Sequence, residues 1–255
     1  MKKIFKKLLP FMGLLLFSCS PENLTDGNET ITNSDSNDSG ISNANNSRVS
    51  NTNTSKIWNF DTLTEWEDAT QVGNPNYWIE SGNLHIFTNP NTWERSKVKT
   101  ISSFTAGTYT WKVFIPEMGV GDMASIGAFL YNNDTHELDF EIGYGNQAIR
   151  NQLEADPDDL IAYMTSQANP FQSFKKKIKR GQWYTLSLEL TLNSSRKYHV
   201  NWKINGELTG ATQLTYGDKT KFKIFCSIEN LTFIGDHIPN IQNYALFDSV
   251  EFKSN

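Results

Sequence analysis

Apolar and polar residues alternate along most of the chain after residue 55, and a period of two is typical of β-strands with one buried face. The segment Gly107–Pro116, GTYTWKVFIP, shows the alternation most clearly. Similar short segments recur between turn residues through the rest of the chain. They are Ile57–Phe60, Asn76–Thr88, Ser96–Ile101, Ala124–Tyr131, His136–Gly143, Asp159–Gln167, Gln182–Leu192, Lys197–Gly206, Phe222–Glu229 and Tyr244–Lys253.

These segments predict an all-β domain over residues 56–255. Roughly a dozen short strands without a long helical pattern favour two antiparallel sheets packed face to face. A single helical turn is expected within Gln152–Leu160. The basic run Lys175–Arg180 follows no strand pattern, and we interpret it as a solvated loop that could also meet an anionic glycan.

The first 19 residues have the pattern of a secretory signal. Four lysines precede a short apolar segment that cannot span a bilayer stably. The motif LFSC, Leu16–Cys19, resembles the lipobox of bacterial lipoproteins. That resemblance implies a diacylglyceryl group on the Cys19 thiol, attachment to a membrane of the bacterial cell envelope, and Cys19 as the first mature residue.

Residues 20–55 form a polar segment rich in Asn, Ser, Thr, Asp and Gly. Such a composition cannot bury enough apolar surface to offset its ordering entropy. We therefore predict a flexible tether between the anchor and the folded domain.

Charge and cysteine content exclude several classes of function. The net charge of −5 argues against nucleic-acid binding, which needs a basic surface. The two cysteines, Cys19 and Cys226, lie in unrelated contexts and indicate no disulfide framework; Cys226 is expected to be a small buried hydrophobe. The four histidines show no metal-ligand spacing, so we predict no metal site.

The segment His136–Gly145, HELDFEIGYG, places carboxylates at every second position, at Glu137, Asp139 and Glu141. In a strand they share one face, while the apolar residues between them face the core. A solvated sheet face is one interpretation. Like charges raise one another's pKa, however, which favours a catalytic row that works by carboxylate chemistry.

Spacing alone leaves the stereochemistry open. In a straight strand the Cα atoms of Glu137 and Glu141 lie about 13 Å apart, at roughly 3.3 Å per residue. A retaining glycosidase needs carboxyl groups about 5–5.5 Å apart and an inverting one about 6.5–9.5 Å. Curvature of the sheet and the lean of both side chains would have to close the gap.

The motif ELDFE resembles the signature of family 16 glycoside hydrolases, which are β-jelly-roll, concanavalin A-like endoglycanases. Flanking segments at Gly107–Gly119, Gln182–Leu208 and Ala245–Lys253 are similar to strands of that family. The resemblance covers roughly residues 56–253. It implies a retaining endo-hydrolase of a β-linked polysaccharide, with Glu137 as nucleophile, Glu141 as general acid/base and Asp139 modulating Glu137. It implies no catalytic metal; some members carry a structural Ca²⁺, which nothing in this sequence indicates.

The sequence departs from the family pattern in the strand before the motif. Many members have tryptophans there, whereas this chain reads ASIGAFLY. If Asn132–Thr135 is a four-residue turn, Leu130 sits opposite Glu137 and shares its face. An aliphatic residue would then stand where a sugar ring could stack.

Four further residues are candidates for binding the substrate. Trp93 and Arg95 could line the rim of the cleft, although Trp93 could equally pack on the sandwich. Tyr163 and Gln167 share one face of the strand after the motif, but alternation alone does not say which face. The sequence thus predicts a monomeric, envelope-anchored glycosidase with a polysaccharide substrate. A non-catalytic glycan-binding lipoprotein and a transglycosylase are the alternatives.

Overall fold

A computed structural model describes residues 54–255; the predicted signal segment, Cys19 and the polar segment up to residue 53 lie outside the described residues. The described part consists of fifteen strands and one short helix, α1 (Gln147–Gln152). The strands are β1 (Ser55–Trp58), β2 (Trp66–Asp68), β3 (Tyr77–Glu80), β4 (Asn83–Thr88), β5 (Arg95–Thr100), β6 (Gly107–Ile115), β7 (Ala124–Asn133), β8 (His136–Gly143), β9 (Asp159–Ser166), β10 (Gln172–Lys179), β11 (Gln182–Leu192), β12 (Lys197–Ile204), β13 (Glu207–Gly217), β14 (Lys223–Asn230) and β15 (Asn243–Ser254).

The strands form two antiparallel sheets. One sheet has eight strands in the order β13-β12-β11-β6-β15-β4-β3, with β1 paired to β15. The other has seven strands in the order β10-β9-β8-β7-β14-β5-β2. More than half of the described residues are in strands and only one short helix accompanies them, so the predicted all-β jelly-roll sandwich is confirmed.

The core lies between the two sheets, and the alternation seen in the sequence supplies it. In β6 every second residue is buried, including Tyr109, Trp111 and Val113. From the seven-stranded sheet, β8 contributes Phe140 and its apolar neighbours. Cys226 on β14 is a free thiol with no exposed surface, so its prediction as a buried hydrophobe is confirmed.

The β7–β8 hairpin corrects the predicted register beside the carboxylates. Its loop has two residues rather than four, because Asn133 pairs with His136. A bulge at Asn132 then shifts the pairing, so that Tyr131, not Leu130, stands opposite Glu137. A shift of one residue turns every side chain to the other face. Leu130 therefore lies in the core.

Three other expectations are corrected in the described part. The basic run Lys175–Arg180 is not a loop, because residues up to Lys179 belong to the edge strand β10. Strand β13 was not predicted. The helical turn lies at Gln147–Gln152, just before the segment where it was expected, and the Asn146 side chain caps it by accepting from the Ile149 amide. Among residues 54–255, no helix is long and apolar enough to cross a bilayer.

Candidate functional site

The three carboxylates of the motif lie in the middle of the seven-stranded sheet, on the face turned away from the core, which we call the site face. Strand β8 has β7 on one side and β9 on the other. Leu138, Phe140 and Ile142 are fully buried in the core, so the alternating residues Glu137, Asp139 and Glu141 project from the opposite face. The sheet thus places one acidic row between two neighbouring strands.

Cross-strand pairing defines which side chains surround this row. Thr165 pairs with Asp139 and Tyr163 with Glu141 on β9, while Phe129 and Gly127 pair with the same two residues on β7. The row through Glu141 continues across the sheet, and its members in strand order are Lys175, Tyr163, Glu141, Gly127, Ser227 and Lys97.

Glu141 is a buried carboxylate with a single short hydrogen bond, donated to its Oε2 by the Ser125 hydroxyl. Burial raises the pKa of Glu141 to about 7, and the negative charge of Glu229 adds to the rise. The Ser125 bond and the positive charges of Lys97 and Arg95 oppose it. Near neutral pH this carboxyl can therefore both hold and release a proton, as a general acid/base must.

The absence of a side chain at Gly127 lets the Ser227 hydroxyl and the Glu141 carboxylate lie close to the β7 backbone. A Cβ atom at this position would lie 2.3 Å from the Ser227 hydroxyl and 3.1 Å from Glu141 Oε1. The first distance is shorter than real Cβ contacts, so a larger residue would push the carboxylate or the serine away.

Glu137 is half-buried at the open end of the row. Burial raises the pKa of Glu137 to about 8, and the Glu141 charge is the next largest cause. The two carboxyls repel each other when both are ionised, so they titrate as a pair and share a proton over the neutral range. Retaining glycoside hydrolysis uses a carboxyl pair of this kind, with one member protonated and the other ionised.

Asp139 is hydrogen-bonded to the residue that follows β9 and to a tryptophan of the core. Its Oδ2 accepts a hydrogen bond of 2.8 Å from Gln167 Nε2. Its backbone carbonyl accepts a 3.0 Å bond from the indole Nε1 of Trp202, a buried residue of the opposite sheet. These bonds fix the position of β8 and so the direction in which its carboxylates point.

A second buried carboxylate, Glu229 on β14, lies on the same face. Its Oε2 accepts bonds from Arg95 Nε at 2.6 Å and from Lys97 Nζ at 2.9 Å. Burial alone would raise the pKa of Glu229, but the charges and hydrogen bonds of Lys97 and Arg95 lower it. This cluster was not predicted, although Phe225, Ser227 and Glu229 alternate with core residues and could have indicated a second polar face.

Aromatic side chains lie next to the row, on the β7 side. Phe129 stacks on Phe225 with ring centroids 4.5 Å apart and an angle of 16° between the planes. Tyr131 contacts Phe225 edge-on at 5.8 Å and donates to Asp134 Oδ1 at 2.9 Å. The corrected hairpin register therefore replaces the expected aliphatic residue beside Glu137 with a tyrosine, a residue that sugar sites use.

The four residues predicted to bind the substrate lie in four different surroundings. Gln167 contacts the row directly through Asp139. Arg95 lies on the site face but is bonded to Glu229. Tyr163 is on that face opposite Glu141, yet only 5% of it is exposed, and it packs edge-on against Phe233. Trp93 is half exposed and lies outside β5, two residues before Arg95.

One group of carboxylates in the described part is close enough to share a cation, and it lies away from the row. Asp156, Asp158 and Asp159 approach one another after helix α1. The Lys179 ammonium lies 3.6, 3.5 and 2.7 Å from them, respectively. These aspartates therefore already surround a positive charge.

Comparison with known proteins gives structural relatives only: no protein-family model matches the chain, and no curated protein sequence is similar to it. The Bacillus licheniformis β-glucanase matches with a TM-score of 0.56 at 16% identity, over 80% of this chain and 99% of that chain. Crh5 transglycosylase in complex with NAG matches with a TM-score of 0.55 at 13% identity, over 78% and 83%.

A third similar structure carries the family assignment in its description. It is a GH16 protein from the Bacteroides ovatus mixed linkage glucan PUL, in complex with a product; its TM-score is 0.52 at 12% identity, over 78% of this chain and 99% of that chain. Identities this low establish the fold rather than the activity. The chain has the β-jelly-roll fold of the family 16 glycoside hydrolases.

Proposed function

We propose that this chain is a retaining, endo-acting glycoside hydrolase of a β-linked polysaccharide. The observation that carries the proposal is the carboxylate pair Glu137 and Glu141, which stands on the face of a glucanase-like sheet with both pKa values raised into the neutral range. Neighbouring carboxyls with strongly raised pKa values are a physical signature of acid/base sites.

The pKa of Glu137 is the higher of the two, so we place the shared proton on Glu141 from the resemblance to family 16 enzymes and not from the pKa order. In the proposed first step, Glu141 donates this proton to the glycosidic oxygen and the bond from that oxygen to the anomeric carbon breaks. The Glu137 carboxylate forms the new bond to the anomeric carbon. Asp139, held by Gln167, lies between the two glutamates on the strand and adds negative potential that favours the developing positive charge on the sugar.

In the second step, Glu141 accepts a proton from water as the water oxygen bonds to the anomeric carbon, and Glu137 is released as a carboxylate. Once Glu137 is esterified it carries no charge, so the repulsion between two ionised carboxylates is absent from the intermediate. The pKa of Glu141 therefore falls in the intermediate, and the same group changes from acid to base.

Two alternatives remain as candidate functions. A transglycosylase would use the same residues with a sugar hydroxyl in place of water, and the similarity to the Crh5 transglycosylase favours considering it. A glycan-binding protein without turnover would use the same face as a platform. We further propose, from the sequence alone, that Cys19 is lipidated and holds the domain at the bacterial cell envelope, where polysaccharides are accessible.

The decisive experiment uses the chain from Ser20 onward and measures new reducing ends on β-1,3-glucan, mixed-linkage glucan, agarose and carrageenan. We expect turnover on at least one glycan and a loss of roughly a thousandfold or more in Glu137→Gln. Glu189→Gln removes a carboxylate from the opposite sheet, where it pairs with Lys203, and serves as the matched control.

Chemical rescue tests the nucleophile independently. Azide added to Glu137→Ala is expected to restore cleavage and to yield a glycosyl azide, because the anion takes the place of the missing carboxylate. Full turnover by Glu137→Gln would refute the nucleophile assignment. Binding without turnover on every glycan would support the glycan-binding alternative.

A further inference from the structure

The edge strand β10 carries a run of lysines that differ in whether a carboxylate balances their charge. Lys176 Nζ lies 2.6 Å from Glu207 Oε2. Lys179 Nζ lies 2.7 Å from Asp159 Oδ1. Both lysines therefore have carboxylate partners.

Lys175 points to the site face, on the same side of β10 as Lys179 and opposite to Lys176, and has no carboxylate within ion-pair distance among residues 54–255. Its Nζ donates to the Ser173 carbonyl at 3.1 Å and to the Ser173 hydroxyl at 3.2 Å, and lies 6.0 Å from the Tyr163 ring centre. The side chain is half-buried, and this burial lowers the pKa of the Lys175 ammonium. A half-buried positive charge without a counter-ion is unfavourable until an anion joins it.

The position of Lys175 relative to the carboxylates is set by strand pairing. Lys175 pairs with Tyr163, and Tyr163 pairs with Glu141. Two strand spacings of roughly 4.8 Å place the Lys175 backbone about 10 Å from that of Glu141. Hydroxyls fill the adjacent row, where Thr165 and Ser173 form a 3.1 Å hydrogen bond.

The other end of the same row carries a lysine that does have a carboxylate partner. Lys97 lies on β5, across the sheet from Lys175, and it is bonded to the buried Glu229 at 2.9 Å. Lys97 is thus occupied by the protein itself, whereas the ammonium of Lys175 has only neutral partners among the described contacts. A polysaccharide that crosses Glu141 toward β10 would meet this charge.

We propose that Lys175, with the hydroxyls of Ser173 and Thr165, binds an anionic substituent of the polysaccharide, either a sulfate ester or a uronate carboxylate. The proposal rests on the proposed function and narrows its substrate class to acidic β-linked glycans. A lysine ammonium offers three donors, and hydroxyls add neutral donors around an oxyanion. The subsite lies beside the carboxylate row rather than within it, so it selects substrate without taking part in bond cleavage.

The test compares matched glycans on the inactive Glu137→Gln chain, so that binding is scored whether or not the protein is an enzyme. The probes are a neutral β-1,3-glucan and its sulfated and carboxymethylated derivatives, together with carrageenan, agarose and alginate, at one fixed low ionic strength. We expect an anionic glycan to bind about tenfold more tightly than its neutral counterpart. Preference for the sulfated or the carboxylated member identifies the substituent.

Three substitutions locate the effect. Lys175→Met should abolish the preference for the anionic glycan, and Lys175→Arg should retain part of it. Lys176→Met removes the same charge one residue away, on the opposite face, and should leave the preference intact. If the wild-type chain turns over a glycan, Lys175→Met should raise KM with kcat nearly unchanged, because the lost contact is uniform binding.

Two results would overturn the proposal. One is the absence of binding to every anionic glycan, or equal binding to neutral and anionic partners. The other is a preference that survives Lys175→Met. Neither outcome depends on turnover, so a failure of the glycosidase assignment alone, with a Lys175-dependent preference retained, would be recognised separately.

Discussion

Two buried glutamates on the same face, Glu141 and Glu229, have pKa values that are shifted in opposite directions. They are 9% and 2% exposed, and Ser125 connects their strands: it pairs with Glu229 and donates to Glu141. Glu229 is bonded to two cations, and its pKa is lowered. Glu141 has one neutral donor, and its pKa is raised to about 7.

The difference shows that counter-charges, rather than depth of burial, decide the protonation state on this face. Desolvation penalises the charged form of both residues. Only Glu229 receives compensation from direct ion pairs. A carboxyl that must carry a proton at neutral pH has to be left without such a pair, which is how Glu141 differs from its neighbour.

Removing the charge of Glu229, the carboxylate bonded to two cations, should have the largest effect on stability. Glu229→Gln leaves Lys97 and Arg95 without their carboxylate in a buried setting, and we expect a loss of about 3–5 kcal/mol in the free energy of unfolding. Urea denaturation at neutral pH measures it. The control is Glu67→Gln, at a partly exposed partner of Lys223, with an expected loss below about 1 kcal/mol. Equal unfolding midpoints for Glu229→Gln and the wild type would contradict the prediction.

The pair Glu137 and Glu141 should make the free energy of unfolding fall as the pH rises. The folded-state pKa values of about 8 for Glu137 and about 7 for Glu141 lie above the ordinary value of 4.5. Between these values the folded chain holds protons that the unfolded chain has released, so raising the pH favours unfolding. The free energy of unfolding of the wild-type chain should therefore fall between about pH 5 and pH 8. In Glu141→Gln this fall should be smaller by about 1–3 kcal/mol.

Urea denaturation across this pH range measures the slope. Glu207→Gln, at an exposed carboxylate whose partner is Lys176, should keep the wild-type slope. An unchanged slope in Glu141→Gln would show that Glu141 is ionised throughout, like Glu229.

The smallest expected effect concerns the hydrogen bond that holds Glu141. Ser125→Ala removes the donor that lowers the pKa of Glu141, so the acid should stay protonated to higher pH. If the chain is a glycosidase, the alkaline limb of its pH–rate profile should move up by about 0.5–1 pH unit. The control is Ser227→Ala, because Ser227 lies on the same face without a hydrogen bond to Glu141. An alkaline limb that does not move in Ser125→Ala would refute the role of Ser125.

Much of the fold follows from periodicity, and the exceptions have physical causes. Segments such as Gly107–Pro116 alternate cleanly because one face packs on the opposite sheet. Strand β10 was missed because both of its faces carry lysines, so the apolar half of the pattern is nearly absent. Strand β13 contains two glycines and many polar residues at a sheet edge, where packing demands little.

The pairing of residues across strands was harder to predict than the strands themselves. The choice of Leu130 over Tyr131 as the residue facing Glu137 depended on one bulged residue, Asn132, in the hairpin. Nothing in the local pattern marks that bulge, and it reverses which side chains share the site face. The ion cluster around Glu229 was missed for the same reason, because its members come from strands far apart in sequence.

The sequence by itself determined that Glu137, Asp139 and Glu141 share one face of a strand with an apolar underside, because side-chain direction in a strand depends only on a period of two. Tertiary structure alone decided which groups meet that row, with Ser125 at Glu141 and Gln167 at Asp139, and which cations from β5 bind Glu229 on the same face. Ionisation depends on distances between strands, and those distances are set by sheet order and register, which local pattern does not encode.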